Sequence, residues 1–235
     1  MREAQGVKMT KRVQRLVGLT FLLGSFCLML AFRGESGTAT GSAKSVAMQD
    51  KKANGTAPDV VIYASDLPES ALSEFDFWQD PASPGGKLAG TPNTGGNLDP
   101  PPESDPHVKF KIKVQSGVAY RCWIHMKVGA PKGVSQANKF WVQFSDAVDK
   151  AGNPVFKPGT KSYLTAQGPT KQGWAWVSCD LEGGKSASES LVTFQISGEV
   201  TVRMQAGMEG VGFDQLVLSP VKYLDKPPSE AIVKK

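Results

Sequence analysis

The sequence predicts an all-β protein whose main domain is an antiparallel β-sandwich of jelly-roll type. Residues 58–225 contain short segments of alternating apolar and polar residues, separated by clusters of Gly, Pro, Asn and Asp, and they lack an apolar stripe at helical spacing. Alternation with a period of two is typical of strands that bury one face. About eight or nine such segments, each bounded by turn residues, are typical of a sandwich.

The clearest strand is predicted over residues 107–114, where every second residue is apolar. Alternation resumes over residues 118–128 after the short turn 115–117, which predicts an antiparallel hairpin. Residues 81–106 are rich in Gly and Pro and predict a long loop of the functional or mobile kind. Further strands are predicted at Val60–Tyr63, Lys139–Ser145, Trp174–Cys179, Leu191–Ile196, Glu199–Ala206 and Val211–Leu218.

The ends of the chain predict segments outside the sandwich. Residues 1–33 have the layout of an export signal, in which a cationic stretch precedes an uncharged run, Leu16–Phe32, and small residues follow. We expect a signal peptidase to remove this segment, with a retained N-terminal anchor as the alternative, so the domain is secreted or held in the cell envelope. Residues 34–57 predict a flexible linker, 58–225 the sandwich domain and 226–235 a flexible tail.

The net charge of +5 belongs to the N-terminal segment. The chain has 27 Lys and Arg and 22 Asp and Glu; six of these cations and one acid lie in residues 1–33, which leaves 21 of each in residues 34–235. A neutral body removes the electrostatic reason to expect nucleic acid as a partner. A membrane is expected as a partner only through a retained N-terminal segment.

The predicted hairpin carries five cations on one face. We interpret this face as a solvated outer surface rather than as a site for anionic polysaccharide or a membrane, because the domain as a whole is neutral. The five cations are Lys109, Lys111, Lys113, Arg121 and Lys127.

Two cysteines, Cys122 and Cys179, follow the N-terminal segment, each within a strand-like apolar stretch. Disulfides persist outside the cytoplasm, so the pair predicts a disulfide, with two separately buried thiols as the alternative. His107 and His125 lie far apart in the sequence and no CxxC spacing occurs, so the sequence does not support a zinc site.

The sequence contains none of the common catalytic motifs. It has no GxSxG, no HExxH, no Walker A loop and no dinucleotide fingerprint. We therefore expect a protein that is not an enzyme. An unrecognised glycoside hydrolase, using a pair of acids such as Asp146 and Asp180, is the alternative.

Several tryptophans lie where loops meet strands. Trp174 and Trp176 share one face of a predicted strand, and Trp78 lies beside the long Gly/Pro loop. Sugar rings bind in water by placing their C–H faces on flat aromatic rings while polar side chains take the hydroxyls. The alternative is a core position, which we favour for Trp123 and Trp141. The predicted ligand-binding residues are Trp174, Trp176, Trp78, Asn138 and Asp180.

Three segments resemble the galactose-binding-like jelly-roll superfamily: Asp59–Leu67, Tyr120–Ile124 and above all Gly210–Ser219. Within it the chain is similar to carbohydrate-binding modules of families six and thirty-five and to their relatives in secreted bacterial proteins. The resemblance implies a non-catalytic sugar-binding domain, usually with a structural calcium.

The resemblance also implies where calcium would bind. Asp214 stands where the last strand of these modules places a calcium ligand. Tyr63 and Ser65 stand where the first strand usually supplies glutamates, which leaves Asp66 as the only acid there. Calcium takes six to eight oxygen ligands. Asp214 and Asp66 are thus the predicted metal ligands of an incomplete set.

The sequence as a whole predicts an exported, non-catalytic domain that binds a polysaccharide or other glycan through aromatic stacking and hydrogen bonds. The alternative is an envelope-associated structural or protein-interaction sandwich without sugar binding. In that alternative Trp174 and Trp176 are buried.

Overall fold

A computed structural model describes residues 57–93, 96–129, 138–184 and 186–235. The predicted export segment, residues 1–33, and all but the last residue of the predicted linker lie outside the described residues. Nowhere in the described ranges is there a helix long and apolar enough to cross a membrane.

The regular structure of the described residues consists of thirteen β-strands and four short 3-10 turns. Every strand pairing is antiparallel, so the prediction of an all-β antiparallel fold is confirmed. The turns are Ala64–Asp66, Glu69–Ala71, Pro84–Gly86 and Ala187–Ser190. The strands are β1 (Val60–Tyr63), β2 (Leu72–Ser73), β3 (Asp76–Gln79), β4 (Lys87–Gly90), β5 (His107–Val114), β6 (Ala119–Val128), β7 (Lys139–Phe144), β8 (Ala147–Val148), β9 (Leu164–Gln167), β10 (Gly173–Asp180), β11 (Val192–Phe194), β12 (Gly198–Ala206) and β13 (Val211–Ser219).

The long strands form two sheets that β10 joins. In the first sheet β6 lies between β10 and β13, and the other edge of β13 pairs with β4 at its start and with β1 along the rest, while β3 continues beyond β4. In the second sheet the order is β2, β5, β12, β7 and β9. The last two residues of β10 pair with β9, so this strand passes from one sheet to the other.

The core lies between the two sheets. Apolar residues at alternate positions of β5 and β6 point inward and belong to one buried cluster with residues of β7, β12 and β13. Fully burying a side chain of this kind stabilises the fold by about 1.5–3 kcal/mol. The inward-facing residues of β5 and β6 are Val108, Phe110, Ile112, Val114, Tyr120, Cys122, Ile124, Met126 and Val128.

The prediction that β5 and β6 form a hairpin is wrong, although each strand buries the apolar residues on one face as predicted. In the described residues β5 pairs with β12 and β2, whereas β6 pairs with β10, β13 and β11. The turn between them crosses from one sheet to the other: the Gly117 N–H donates to the Phe194 carbonyl (3.2 Å) with Gly117 at a φ of +72°. Alternation gives the inward face of each strand in both arrangements, so it cannot distinguish a hairpin from a corner between sheets.

The five cations of the predicted hairpin consequently do not share one face. Lys109, Lys111 and Lys113 lie exposed on the outer face of the second sheet. Arg121 and Lys127 lie on the outer face of the first sheet, where each pairs with a carboxylate at 2.5 Å.

Residues 226–235, predicted as a flexible tail, instead lie across the outer face of the first sheet. The indole N–H of Trp176 donates to the Glu230 carbonyl (2.8 Å), and the Val233 N–H donates to the Gln215 side chain (2.9 Å). The hydrogen bonds of this segment go to side chains of the sheet rather than to a neighbouring strand, so a strand pattern in its sequence is not needed to hold it there.

Candidate functional site

A cleft of about 250 Å³ opens at the edge of the first sheet, where β3 and β4 lie beside the start of β13. Strand β4 falls inside residues 81–106, which the sequence predicts as a loop. Apart from four glycines, the residues that line the cleft are Trp78, Gln79, Leu88, Thr91, Asn93, Lys127 and Val211.

Among the tryptophans that the structure describes, Trp78 is the most exposed, and it lines the cleft. It lies on β3, which pairs only with β4 in the described residues, and 47% of its surface is exposed. Its indole N–H donates to the Gly90 carbonyl (3.3 Å), which fixes the indole against β4. An anchored aromatic ring that stays in contact with solvent offers a flat apolar surface to a ligand.

Main-chain atoms form the floor of the cleft, because glycines occupy the positions where β4 and β13 lie close together. A Cβ at Gly212 would lie 3.1 Å from the Ala89 carbonyl oxygen and 2.7 Å from the side chain of Leu88. Gly210 has a φ of +82°, which side chains rarely adopt, and a Cβ there would meet Asn93 at 2.5 Å. The Gly-Val-Gly of the segment that carries the family resemblance therefore shapes this cleft.

The charged wall of the cleft is an ion pair. Lys127 Nζ lies 2.5 Å from Oδ2 of Asp80, which is only 7% exposed, and the Ala82 N–H donates to the other carboxylate oxygen (3.0 Å). The hydrogen bond from Lys127 is the main cause that lowers the pKa of Asp80, and burial opposes it. The carboxylate is thus ionised at neutral pH, and the wall carries no net charge.

Two further polar groups of the cleft are held by main-chain atoms. The Asn93 amide donates to the Gly129 carbonyl, and the Thr91 hydroxyl accepts from the Gly210 N–H (3.0 Å). Asn93 is exposed and Thr91 is buried. The Asn93 amide therefore keeps a fixed orientation at the surface, where its remaining atoms can bind a ligand.

Trp174 and Trp176 share one face, as the sequence predicts, but His125 lies between them. The His125 ring stacks on Trp174 with centroids 4.7 Å apart and lies 4.8 Å from the Trp176 ring. Its Nδ1 bonds to Oδ1 of the buried Asp214 (2.8 Å). Each indole therefore uses one ring face within the protein, and both side chains are half-buried.

Of the five predicted ligand-binding residues, the structure places only Trp78 in the cleft lining. Trp174 lies next to the cleft: the ammonium of Lys127, which lines the cleft, is 5.4 Å from the centroid of the Trp174 indole. Asn138 is buried before β7, where its carbonyl accepts from the Gly168 N–H (2.7 Å). Asp180 ends β10 and pairs with Arg121 at 2.5 Å, beside a different cleft.

Sequence reasoning missed Gln79, Thr91, Asn93 and Lys127 as cleft residues. Thr91 and Asn93 lie within the Gly/Pro-rich stretch that the sequence marks as functional or mobile, so a signal for them existed. The pairing of β3 with β4 brings Trp78 and Gln79 to the same place, and this pairing has no local sequence signal.

The two tryptophans that the sequence assigns to the core, Trp123 and Trp141, are buried, with 6% and 5% of their surface exposed. Both side chains lie on the outer faces of the sheets, where other segments of the chain cover them, and not in the core between the sheets. The Trp123 indole N–H donates to the Tyr223 carbonyl (2.7 Å), and the ring of Tyr163 lies 5.9 Å from that of Trp141.

The predicted calcium ligands bind different partners. Asp214 pairs with His125, and Asp66 pairs with Lys235. Within the described ranges no three His, Cys, Asp or Glu side chains are grouped so that they could hold a metal ion. Calcium takes six to eight oxygen ligands, so these two carboxylates, each paired with a basic side chain, would need further oxygen ligands, and calcium binding stays a prediction of the resemblance.

Cys122 and Cys179 are fully buried, and the described structure contains them as free thiols. Ser178 pairs with Trp123, and the neighbouring Cys179 and Cys122 both belong to the core cluster between the sheets. Burial raises the pKa of Cys179. The disulfide stays a prediction, which thiol titration of the unfolded, unreduced chain tests.

No protein-family model matches the chain, and no curated protein matches it. Solved structures do match. The chain is similar to a Podospora anserina β-(1,4)-mannanase with a family 35 carbohydrate-binding module (11% identity, TM-score 0.44). The match covers 70% of this chain and 28% of the mannanase.

Two isolated carbohydrate-binding modules are also similar. The C-terminal family 6 module of the laminarinase LamC from Zobellia galactanivorans is 13% identical (TM-score 0.42; 69% of this chain and 99% of the module). A family 35 module from Clostridium thermocellum is 11% identical (TM-score 0.41; 69% and 98%). These are modules of the two families that the sequence resembles.

Proposed function

We propose that this domain binds carbohydrate, without catalysis, in the cleft beside Trp78. One observation carries the proposal: an anchored indole, 47% exposed, lies at a cleft whose other walls present amide, hydroxyl and ammonium groups. A pyranose ring needs a flat apolar surface for its C–H face and polar groups at the rim for its hydroxyls. The sequence resemblance to sugar-binding modules supports the same function.

The ligand class follows from the charge of the cleft. Lys127 is paired with Asp80, so a ligand meets an ammonium that is already neutralised. An anionic sugar gains little binding energy from an ammonium that is already paired with a carboxylate. A sugar hydroxyl can accept a hydrogen bond from the same ammonium while the ion pair stays intact. We therefore propose a neutral polysaccharide as the ligand, with Trp78 stacking and with Asn93, Gln79 and Lys127 bonding hydroxyls.

The proposal includes export, which rests on the sequence of residues 1–33. A domain that binds polysaccharide acts where polysaccharide is present, outside the cytoplasm or at the cell surface. Fractionation of cells that express the full chain tests this part, and recovery of the chain in the cytoplasm would contradict it.

Affinity electrophoresis of the full chain through gels that contain one neutral polysaccharide each tests the binding site. We expect retardation by at least one neutral polysaccharide. Replacing Trp78→Ala should weaken this binding by about 2 kcal/mol or more, which is roughly 30-fold. Trp78→Phe keeps a flat ring and should retain most of the affinity.

The matched control is Ile196→Ala, because Ile196 is exposed to a similar degree (43%) and does not line the cleft. It should leave the retardation unchanged. Binding that survives Trp78→Ala would place the sugar site elsewhere, and the absence of retardation by every polysaccharide would refute sugar binding.

A further inference from the structure

The C-terminal segment, residues 226–235, crosses the outer face of the first sheet and bonds to successive strands. Near its middle, the Trp176 indole on β10 donates to the Glu230 carbonyl (2.8 Å). Further on, the Tyr63 hydroxyl on β1 donates to the Val233 carbonyl (2.9 Å). The segment therefore runs from β10 over β6 and β13 to β1.

Between these two strands, Gln215 of β13 binds the segment with both ends of its amide. Its Nε2 donates to the Ala231 carbonyl (2.9 Å), and its Oε1 accepts from the Val233 N–H (2.9 Å). The chain bends at residues 229–232, and the Ala231 carbonyl and the Val233 N–H both point to Gln215. The Gln215 amide thus holds the segment through two main-chain groups at this bend.

These hydrogen bonds all reach main-chain atoms, which every extended polypeptide offers. Specificity comes from what is buried: Val233 is 2% exposed in an apolar cluster with Val61, Trp123 and Val217. Its neighbour Ile232 is 38% exposed. The face therefore suits a peptide with one small apolar side chain at the place of Val233.

Charge adds a second requirement. Lys235 pairs with Asp66 at the far end of the segment, beside β1. Both side chains are about half exposed, so this ion pair contributes little affinity and mainly favours one direction of the peptide.

We propose that the outer face of the first sheet is a binding site for a polypeptide segment, closed in each chain by its own residues 226–235, and that it takes the same segment from a second copy. The link between the anchored Tyr223 and the buried Pro228 is four residues, 224–227, of which three are exposed. Every contact that the segment loses on its own sheet is regained on an identical sheet. Exchange therefore depends on protein concentration.

This site is independent of the sugar proposal, because the residues that line the cleft beside Trp78 make none of the hydrogen bonds to the segment. A ligand in the cleft and a segment on the outer face use different side chains. Failure of either proposal leaves the other in place.

The first experiment asks whether the face binds the segment as a separate peptide. A protease site inserted between the exposed residues Asp225 and Lys226 lets the full chain fold before it is cut. Gel filtration then removes the released segment, and a fluorescent synthetic peptide of residues 226–235 is titrated by anisotropy. We expect one peptide to bind per chain.

Matched changes in the synthetic peptide keep the protein itself unaltered. The peptide with Val233→Asp should bind at least about tenfold more weakly, because its carboxylate enters an apolar pocket. The peptide with Ile232→Asp carries the same charge at an exposed position and should bind within about twofold of the original. Equal weakening by both changes, no binding at all, or loss of cooperative unfolding when the segment leaves would each overturn the proposal.

The second experiment asks whether a second copy supplies the segment. A full chain with Val233→Asp has an intact face and a defective segment, and one with Gln215→Ala has a weakened face and an intact segment. Analytical ultracentrifugation of the mixture should show a heterodimer that neither variant forms alone. The mixture of Ile232→Asp with Gln215→Ala should remain monomeric, since both faces stay closed. Peptide binding without any heterodimer would overturn the assignment to a second copy.

Discussion

The cleft beside Trp78 and the covered face around Trp123 use the same residue type in opposite ways. Trp78 is 47% exposed on the terminal strand β3, and its ring remains available. Trp123 is 6% exposed on β6, which lies between β10 and β13, and its indole donates to the carbonyl of Tyr223, which precedes the C-terminal segment. A tryptophan on an outer face is thus a ligand surface only where no later part of the chain covers it.

The largest expected difference between the two regions is in stability. Trp123→Ala should lower the free energy of unfolding by about 3–5 kcal/mol, because it empties a buried site and removes a hydrogen bond. Trp78→Ala should lower it by less than about 1 kcal/mol, since half of the side chain is already in water. Urea denaturation measures both. Equal losses of stability would mean that Trp78 has a structural role like that of Trp123.

The sequence predicts the inward faces of the strands well and their partners poorly. Alternation in β5 and β6 identifies the core residues of both strands, yet it assigns the two strands to one hairpin instead of to two sheets. Local patterns record which side of a strand is buried, whereas strand pairing depends on residues such as Phe194 and Ser197 that lie far away in the sequence.

The same limit applies to the candidate site. The sequence places Trp174 and Trp176 on one face, and the strand register agrees. It could not show that His125 fills the space between them, or that Glu230 takes the Trp176 N–H, because both contacts join distant parts of the chain. The sequence predicts Trp78 as a ligand-binding residue because it borders a loop of unusual composition, and the structure places it in the lining of a cleft.

A second test of the covered face compares two neighbouring residues of the C-terminal segment. Val233→Asp in the full chain should lower the free energy of unfolding by about 2–4 kcal/mol, because an unpaired charge enters an apolar cluster. Ile232→Asp should change it by less than about 0.5 kcal/mol. Thermal and chemical unfolding check this. Two similar values would show that the segment is not held on the sheet in solution.

The charge of the cleft gives a third, smaller effect. Asp80→Asn removes the partner of Lys127 and should cost about 1–3 kcal/mol of stability, because the amide replaces an ionic hydrogen bond. It should also leave the cleft positive and so increase retardation by an anionic polysaccharide. Affinity electrophoresis of the variant beside the unaltered chain measures this. An unchanged preference for neutral polysaccharide would show that Lys127 does not face the ligand.

The smallest expected effect is the pH dependence of the covered face. Hydrogen bonds from the Tyr223 hydroxyl, and then from Lys222, hold the pKa of Glu230 at about 2, below its ordinary value of 4.5. The interaction therefore stabilises the folded chain above pH 4.5 and is lost as the pH falls from 4.5 towards 2. The Glu230 side chain is 37% exposed, so the contribution should stay below about 1 kcal/mol.

Unfolding measured across this pH range checks the prediction. Glu230→Gln should flatten the acid side of the stability curve, and Glu69→Gln, at an exposed position on the 3-10 turn Glu69–Ala71, should not. An identical curve for Glu230→Gln and the unaltered chain would show that the carboxylate does not hold the segment.

The strand order has a consequence for how copies of the domain behave when they crowd together on a surface. In the described residues the path of strands ends at β2 and β3, which have two and four residues. Strand β2 pairs only with His107 and Val108, so residues 109–114 of β5 also keep an open edge within the described residues. An open strand edge invites hydrogen bonding by another chain. The exposed Asp76 on β3 and the three lysines of β5 add repulsion at these edges. Crowded domains should therefore remain dispersed rather than grow into stacked sheets.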